Sequence, residues 1–304
     1  HRPFIRENHM KFTYSIPTKI LFGPGSFNDL ATTPLPGKKA LVVITAGKSM
    51  RANGYLDRLI DMLDKQGIGH ALFDKILPNP VLRHVHEGAA LAREQGCDFV
   101  IGLGGGSSID SAKSIAVMAK NPGDYWDYIS GGSGKGQPLV NGALPIVAIA
   151  TTAGTGTEAD PWTVITKEDT NEKIGFGCAE TFPVLSVVDP EMMLTIPAHL
   201  TAYQGFDALF HATEGYIANV ATPLSDAYAL KSIELLAKYL PAAVKDGSDL
   251  EARTQVALAS TLSGMVESTS CCTSEHGMEH ALSAFYPKLP HGAGLIMLSE
   301  AYYS

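Results

Sequence analysis

From residue 40 to residue 150, short apolar and β-branched runs alternate with longer stretches whose apolar residues recur every three or four positions. Few folds accommodate that order. Residues 40–44, 71–73, 99–102 and 146–150 have the length and content of buried strands. Residues 56–63 and 81–95, and the segment opening after Ser107, have helical spacing. Leu77-Pro-Asn-Pro80 breaks the chain between two of these runs. Parallel strands need a crossover between them, usually a helix, so the alternation implies a mostly parallel sheet covered by helices on both faces. Past Asp189-Pro190 the pattern changes: residues 224–239 and 250–265 keep helical spacing with almost no β-branched clusters. The expected fold class is α/β plus all-α, with an α/β domain over residues 10–189 and an all-helical domain over 190–304.

With 304 residues the chain is long enough for two domains with cores of their own. No apolar run approaches a membrane span, and a formal charge of −8 disfavours nucleic acid and anionic membranes as partners. The four cysteines (Cys97, Cys178, Cys271 and Cys272) fall in no paired spacing, and adjacent Cys271 and Cys272 are poorly placed to bridge each other. Reduced thiols and a cytoplasmic location are the expectation. Residues 1–9 lack periodicity and precede Met10, as an expression remnant would.

Two loops carry nucleotide chemistry. Gly104-Gly-Gly-Ser-Ser-Ile-Asp-Ser-Ala-Lys113 follows one strand and opens a helix. Glycines allow a pyrophosphate close to the backbone, and helix N–H groups stabilise its charge. The loop is neither Gly-x-Gly-x-x-Gly nor a P-loop, and a tight strand-to-helix turn without a ligand is the plain alternative. Thr151-Thr-Ala-Gly-Thr-Gly-Thr-Glu158 follows the next strand. Ligands in open α/β sheets bind at the carboxyl ends of strands, where both loops fall.

Two polar patterns carry metal chemistry. Asp207 and His211 are four residues apart, as are His276 and His280, so each pair shares a helix face; His291 follows. A carboxylate with several imidazoles suits a divalent transition metal. Each pair alone reads equally well as a solvated polar face. Phe206, Leu209, Phe210, Thr213 and Ile217 lie on a different face from the first pair, and Met278, Leu282 and Phe285 opposite the second. Glu214 and Glu279 are weaker candidates, more often surface carboxylates than ligands.

Taken together, these motifs resemble those of the iron-containing (group III) alcohol dehydrogenases. The resemblance rests on the 104–113 and 151–158 loops, on Gly205-Phe-Asp-Ala-Leu-Phe-His-Ala-Thr-Glu214, and on His276-Gly-Met-Glu-His280 running to Phe285-Tyr286 and Pro290-His291-Gly292. It extends from about Pro17 to the last residue. It implies a dehydroquinate-synthase-like fold, with a Rossmann-like sheet domain joined to a helical metal domain. The implied metal ligands are Asp207, His211, His276 and His291, with His280 a catalytic pocket histidine that relays a proton. The implied cofactor residues are Gly104, Gly105, Gly106, Ser107, Ser108 and Asp110 on the first loop, and Thr151, Thr152 and Thr155 on the second. Lys173 and Asn79 complete that set, Asn79 on the adenosine side.

The resemblance further implies transfer of a hydride between NAD(P) and a small primary alcohol or aldehyde, with Fe2+ as the expected ion. The His3Asp set also suits Zn2+. Residues 45–47 (Thr-Ala-Gly) lack the acidic group that bonds an adenosine ribose in NAD-selective members, so NADP stays open. The segment between His280 and His291 is one residue longer than in some relatives, and relatives continue beyond Ser304. A glycerol-dehydrogenase-like or other enzyme of the same fold is the alternative, and a non-catalytic nucleotide binder a remote one. Phe285 and Tyr286 suggest an apolar wall for a short aliphatic substrate. A homodimer is the default assembly.

Overall fold

The computed structural model describes residues 11–304, so the expected remnant at residues 1–9 lies outside the described residues. Six strands form one parallel sheet: β1 (Lys19–Phe22), β2 (Lys39–Thr45), β3 (Gly69–Ile76), β4 (Phe99–Gly104), β5 (Ile146–Ala150) and β8 (Leu185–Val188). Between the last two, β6 (Thr163–Lys167) and β7 (Glu172–Phe176) pair as an antiparallel hairpin. The sheet order is β1-β8-β5-β4-β2-β3. β4 and β5 are buried along their whole length, as expected of apolar strands covered on both faces. Helices α1 (Ser26–Asp29), α2 (Ser49–Ala52), α3 (Tyr55–Lys65), α4 (Leu82–Glu94) and α5 (Gly106–Met118) make the connections.

The order contains one reversal of direction. The chain steps outward from β2 to β3, then returns to place β4 on the other side of β2. The carboxyl ends of β2 and β4 therefore splay apart at a topological switch point, where open α/β sheets bind ligands. β4 and β5 are in register there, with Gly104 opposite Ala150, and the Thr151 N–H donates to the Gly104 carbonyl at 2.9 Å. The two loops thus start side by side.

After a turn at Pro190–Met193 the chain is helical: α6 (Ala198–Ile217), α7 (Pro223–Lys245), α8 (Leu250–Ser270), α9 (Ser274–Phe285) and α10 (His291–Tyr303). Ala208, Leu235, Leu236, Val256 and Ala259 form the core of this half, continuous with Val188 and Met193 from the sheet half. The two halves come into backbone contact where Gly156 in the second loop lies against Gly264 in α8. Among the described residues no helix is long and apolar enough to cross a membrane, and all four cysteines are free thiols.

Candidate active site

Asp207 and His211, one turn apart on α6, are 4% and 5% exposed, and His276 on α9 is 4% exposed. Of the residues expected on the other face of each helix, Phe206 at 37%, Ile217 at 53%, Met278 at 44% and Phe285 at 67% are exposed, Leu209, Thr213 and Leu282 are half-buried, and Phe210 is buried. The plain reading of a solvated polar face is thus reversed. The histidine faces point inward.

Each imidazole is tied through one nitrogen. His211 Nδ1 faces the Gly154 carbonyl oxygen at 3.3 Å, His276 Nδ1 bonds the Glu214 carboxylate, and His291 Nδ1 bonds Glu279. The other nitrogens of two rings converge: His276 Nε2 and His291 Nε2 lie 3.3 and 3.4 Å from Asp207 Oδ1. Donor atoms of Asp207, His276 and His291 lie within 4.8 Å of one another, as do those of His211, Cys272 and His276. Three of the four expected ligands therefore form one cluster. His211 joins it through His276, on which its ring stacks at 4.1 Å between centroids. His280 stands beside them, 5.5 Å ring to ring from His291.

Glu214 and Glu279, which the sequence suggested were surface carboxylates, are fully buried. Glu214 also accepts from the Thr273 N–H and hydroxyl at 2.7 and 2.8 Å. A carboxylate behind an imidazole fixes its tautomer and aims the opposite nitrogen. Sequence spacing could not assign that role.

The cluster sets its own protonation. Burial pushes His211 down to about 3, and burial followed by the neighbouring His291 and Lys173 holds His280 well below the usual imidazole range. Burial opposes charge on Asp207, yet His211 and His291 hold it well below the carboxylate range. Burial opposes charge on His276 and His291 as well, but Cys272, Asp207 and Glu214 raise His276 well above the usual imidazole range, and Asp207 and Glu279 raise His291, so a cation binding there displaces protons from these two rings.

A cavity of about 300 Å³ joins this cluster to the sheet. Gly106, Ser107 and Thr155 line it from the two loops, and His211, His276, His280 and His291 from the helices. Lys173 lines it too, with Nζ donating to Ser283 Oγ at 2.7 Å and to Asn79 Oδ1 at 3.3 Å. Burial lowers the Lys173 pKa despite the Glu279 carboxylate nearby. Asn79, which also donates to the Pro287 carbonyl, therefore sits on the wall facing α9. Asp110 lines the cavity with its oxygens already taken by the Thr157 hydroxyl and the Val164 N–H.

Gly104, Gly105, Ser108, Thr151 and Thr152 are not among the residues that line the cavity. The two loops also pack on each other: a Cβ on Gly105 would come 3.0 Å from Thr152, and one on Gly106 would come 2.6 Å from Thr155. The glycines thus let the two loops touch, whatever else they admit. Phe285 and Tyr286 are 67% and 64% exposed and do not line the cavity, so the apolar wall expected from them is absent. Glu267, Cys271, Cys272 and Trp162 line it instead.

Fold and site together define a two-part enzyme class, in which a nucleotide-binding parallel sheet faces a metal-binding helical half across one cavity. The family profile described as iron-containing alcohol dehydrogenase matches residues 17–190, and that of the C-terminal part of the same family matches residues 201–302. Alcohol dehydrogenase 4 of Schizosaccharomyces pombe is 39% identical over 92% of this chain and 65% of its own length. A choline dehydrogenase of Bacillus subtilis is 39% identical over 94% of this chain and 71% of its own. The solved structure of an archaeal halo-thermophilic alcohol dehydrogenase from a Red Sea brine pool superposes with a TM-score of 0.91 at 37% identity, covering 95% of this chain and 73% of that one. This chain belongs to the iron-containing alcohol dehydrogenase family. It spans about two thirds to three quarters of the length of these relatives.

Proposed function

We propose that this chain is an NAD(P)-dependent, metal-assisted alcohol dehydrogenase whose substrate is a small primary alcohol or aldehyde. The observation that carries the reading is the shared arrangement of the three imidazoles. Each faces a carbonyl or carboxylate through Nδ1; the free Nε2 atoms of His276 and His291 lie against the Asp207 carboxylate, and that of His211 lies against Glu267. That donor set fits a divalent cation with room for a substrate oxygen. Asp207, His211, His276 and His291 would hold it, with iron favoured and zinc chemically suited. A divalent ion held there supplies Lewis acidity toward an alcohol oxygen, and a dinucleotide supplies the nicotinamide carbon that accepts a hydride.

The chain's own residues do the rest. Glu214, Glu279 and the Gly154 carbonyl keep the imidazoles aimed. His280, kept neutral by its surroundings, accepts the proton that an alcohol loses on oxidation and passes it to solvent. Gly106, Ser107 and Thr155 border the space for the cofactor's phosphates at the switch point, with Lys173 and Asn79 further along the wall. Residues 45–47 at the end of β2 carry no carboxylate to repel a 2′-phosphate, so either nicotinamide cofactor is admitted. A division into domains at residue 190 would leave this chemistry in the cleft between them. The relatives named for choline and simply for alcohol leave the substrate itself open.

A panel of primary alcohols with NAD and with NADP, assayed after reconstitution with Fe(II) or Zn(II), tests the reading. Alcohol-dependent growth of the reduced-nicotinamide absorbance is expected, faster with Fe(II). Cofactor binding without any alcohol-dependent change would overturn it.

A further inference from the structure

The imidazoles do not all face one carboxylate. Asp207 Oδ1 stands against the Nε2 atoms of His276 and His291, whereas His211 Nε2 lies 3.3 Å from Glu267 Oε1 on α8. Cys272 closes this second corner of the cavity. Its thiol donates to Glu267 Oε2 at 3.7 Å, and one donor atom each of His211, Cys272 and His276 lies within 4.8 Å of the others. Cys271, at the C-terminal cap of α8, adopts φ +53°, a costly conformation for a residue with a side chain, and the chain leaves the helix there with Cys272 lining the cavity. Glu267 lines it too, is 9% exposed, and its Oε1 has no hydrogen-bond partner. Glu275 and Glu279 also have unpartnered oxygens, but neither residue lines the cavity. A buried carboxyl oxygen without a partner is costly, and a cation beside it and His211 removes that cost. Thiolate sulfur, imidazole nitrogen and carboxylate oxygen are the donors that zinc takes at tetrahedral sites.

We propose that Cys272, with His211, His276 and Glu267, forms a second cation site, for a thiophilic divalent ion such as Zn2+ or Cd2+. This site shares His211 and His276 with the Asp207 set, so the two cannot be filled together. A thiophilic ion held by Cys272 therefore displaces the ion held by Asp207. Burial pushes the Cys272 thiol up to about 12 and raises the Glu267 carboxyl well above its ordinary range. On binding, the S–H proton leaves for solvent and a sulfur–metal bond takes its place. Ions that bond strongly to sulfur recover that cost, whereas Fe2+, lower in the divalent series, stays with the imidazoles and Asp207.

Cd(II) is the probe, because bonding to thiolate gives it an ultraviolet charge-transfer band. Metal-stripped wild type, Cys272→Ser and Cys271→Ser are titrated with it anaerobically. Wild type and Cys271→Ser should develop the band with a single equivalent. Cys272→Ser should lack the band and bind Cd(II) more weakly by on the order of 10-fold or more, while taking up as much Fe(II) as wild type. Added to Fe(II)-loaded protein, Cd(II) should release the iron from wild type and release less of it from Cys272→Ser. No band in wild type, an undiminished band in Cys272→Ser, or a band that forms with all the iron retained would overturn the inference. If Cys272→Ser does not fold, X-ray absorption of Cd(II)-loaded Cys271→Ser decides, since Cys97 and Cys178 lie outside the cavity lining. Sulfur bonded to the cadmium there supports the site, and nitrogen and oxygen alone would overturn it. None of these readouts needs turnover, so a failure to oxidise any alcohol would count against the proposed function and leave this inference to the cadmium band.

Discussion

At the scale of single residues, the site is shaped as much by the groups behind the imidazoles as by the imidazoles. Asp207, His211, His276, His280 and His291 could be picked out by spacing and chemical type, but the choice of His291 over His280 as a ligand came from the family resemblance. Glu214 and Glu279 could not be given their roles, because each contacts its imidazole through the fold: Glu214 is 62 positions from His276. Glu267 was invisible for the same reason. It sits in a helix of ordinary periodicity, and only the packing of α8 beside α6 puts it against His211. A residue outside the cavity lining supplies a test of burial. His84 on α4 is 5% exposed, its Nδ1 has no partner, and burial, aided by Arg83, lowers its pKa. A folded pKa below the unfolded value of about 6.5 means that the unfolded chain binds the extra proton. Its contribution to stability is present in full above that pH and is lost as pH falls below it. Thermal unfolding of wild type at pH 7 and pH 5 should show a loss of stability on acidification that is smaller in His84→Gln. An equal loss in both would contradict the assignment.

At the scale of elements, the strands and helices of the first half were legible wherever a run was long and flanked by breaks. β5 has the bounds read from its sequence, Ile146–Ala150, and β2, β3 and β4 each extend the expected run by a few residues. β1 and β8 were missed because four-residue strands carry too little periodicity, and β8 runs straight into Asp189-Pro190, which reads as a turn. The β6–β7 hairpin was missed because its strands are mixed in polarity and half-exposed. In the helical half the periodicity located α7 and α8 but not which face turns inward. Histidine and aspartate look like surface residues until their partners are known. The contact between the halves depends on glycine at two places. A Cβ on Gly264 would come 2.1 Å from the Gly156 carbonyl oxygen, and Gly156 itself adopts φ +62°. Because the obstructing atom is backbone, Gly264→Ala should destabilise the fold by about 1–3 kcal/mol or more, as overpacking does. Denaturant unfolding would measure it, and a loss under about 0.5 kcal/mol, the range of neutral surface changes, would show the contact to be slack.

At the scale of the whole molecule, the chain order of the strands accounts for where chemistry can occur. The reversal between β2 and β4 opens a crevice at the sheet's carboxyl edge, and the helical half closes over it with its histidine faces inward. That juxtaposition was the least legible part of the sequence, since local patterns say nothing of how two halves meet. It is also what turns a phosphate loop and a set of imidazoles into one site. The most direct test of the account is metal removal. Protein stripped by a chelator and dialysed should lose alcohol-dependent reduction of NAD(P), and about one equivalent of Fe(II) per chain should restore it. Full activity in protein shown to be metal-free would contradict the account.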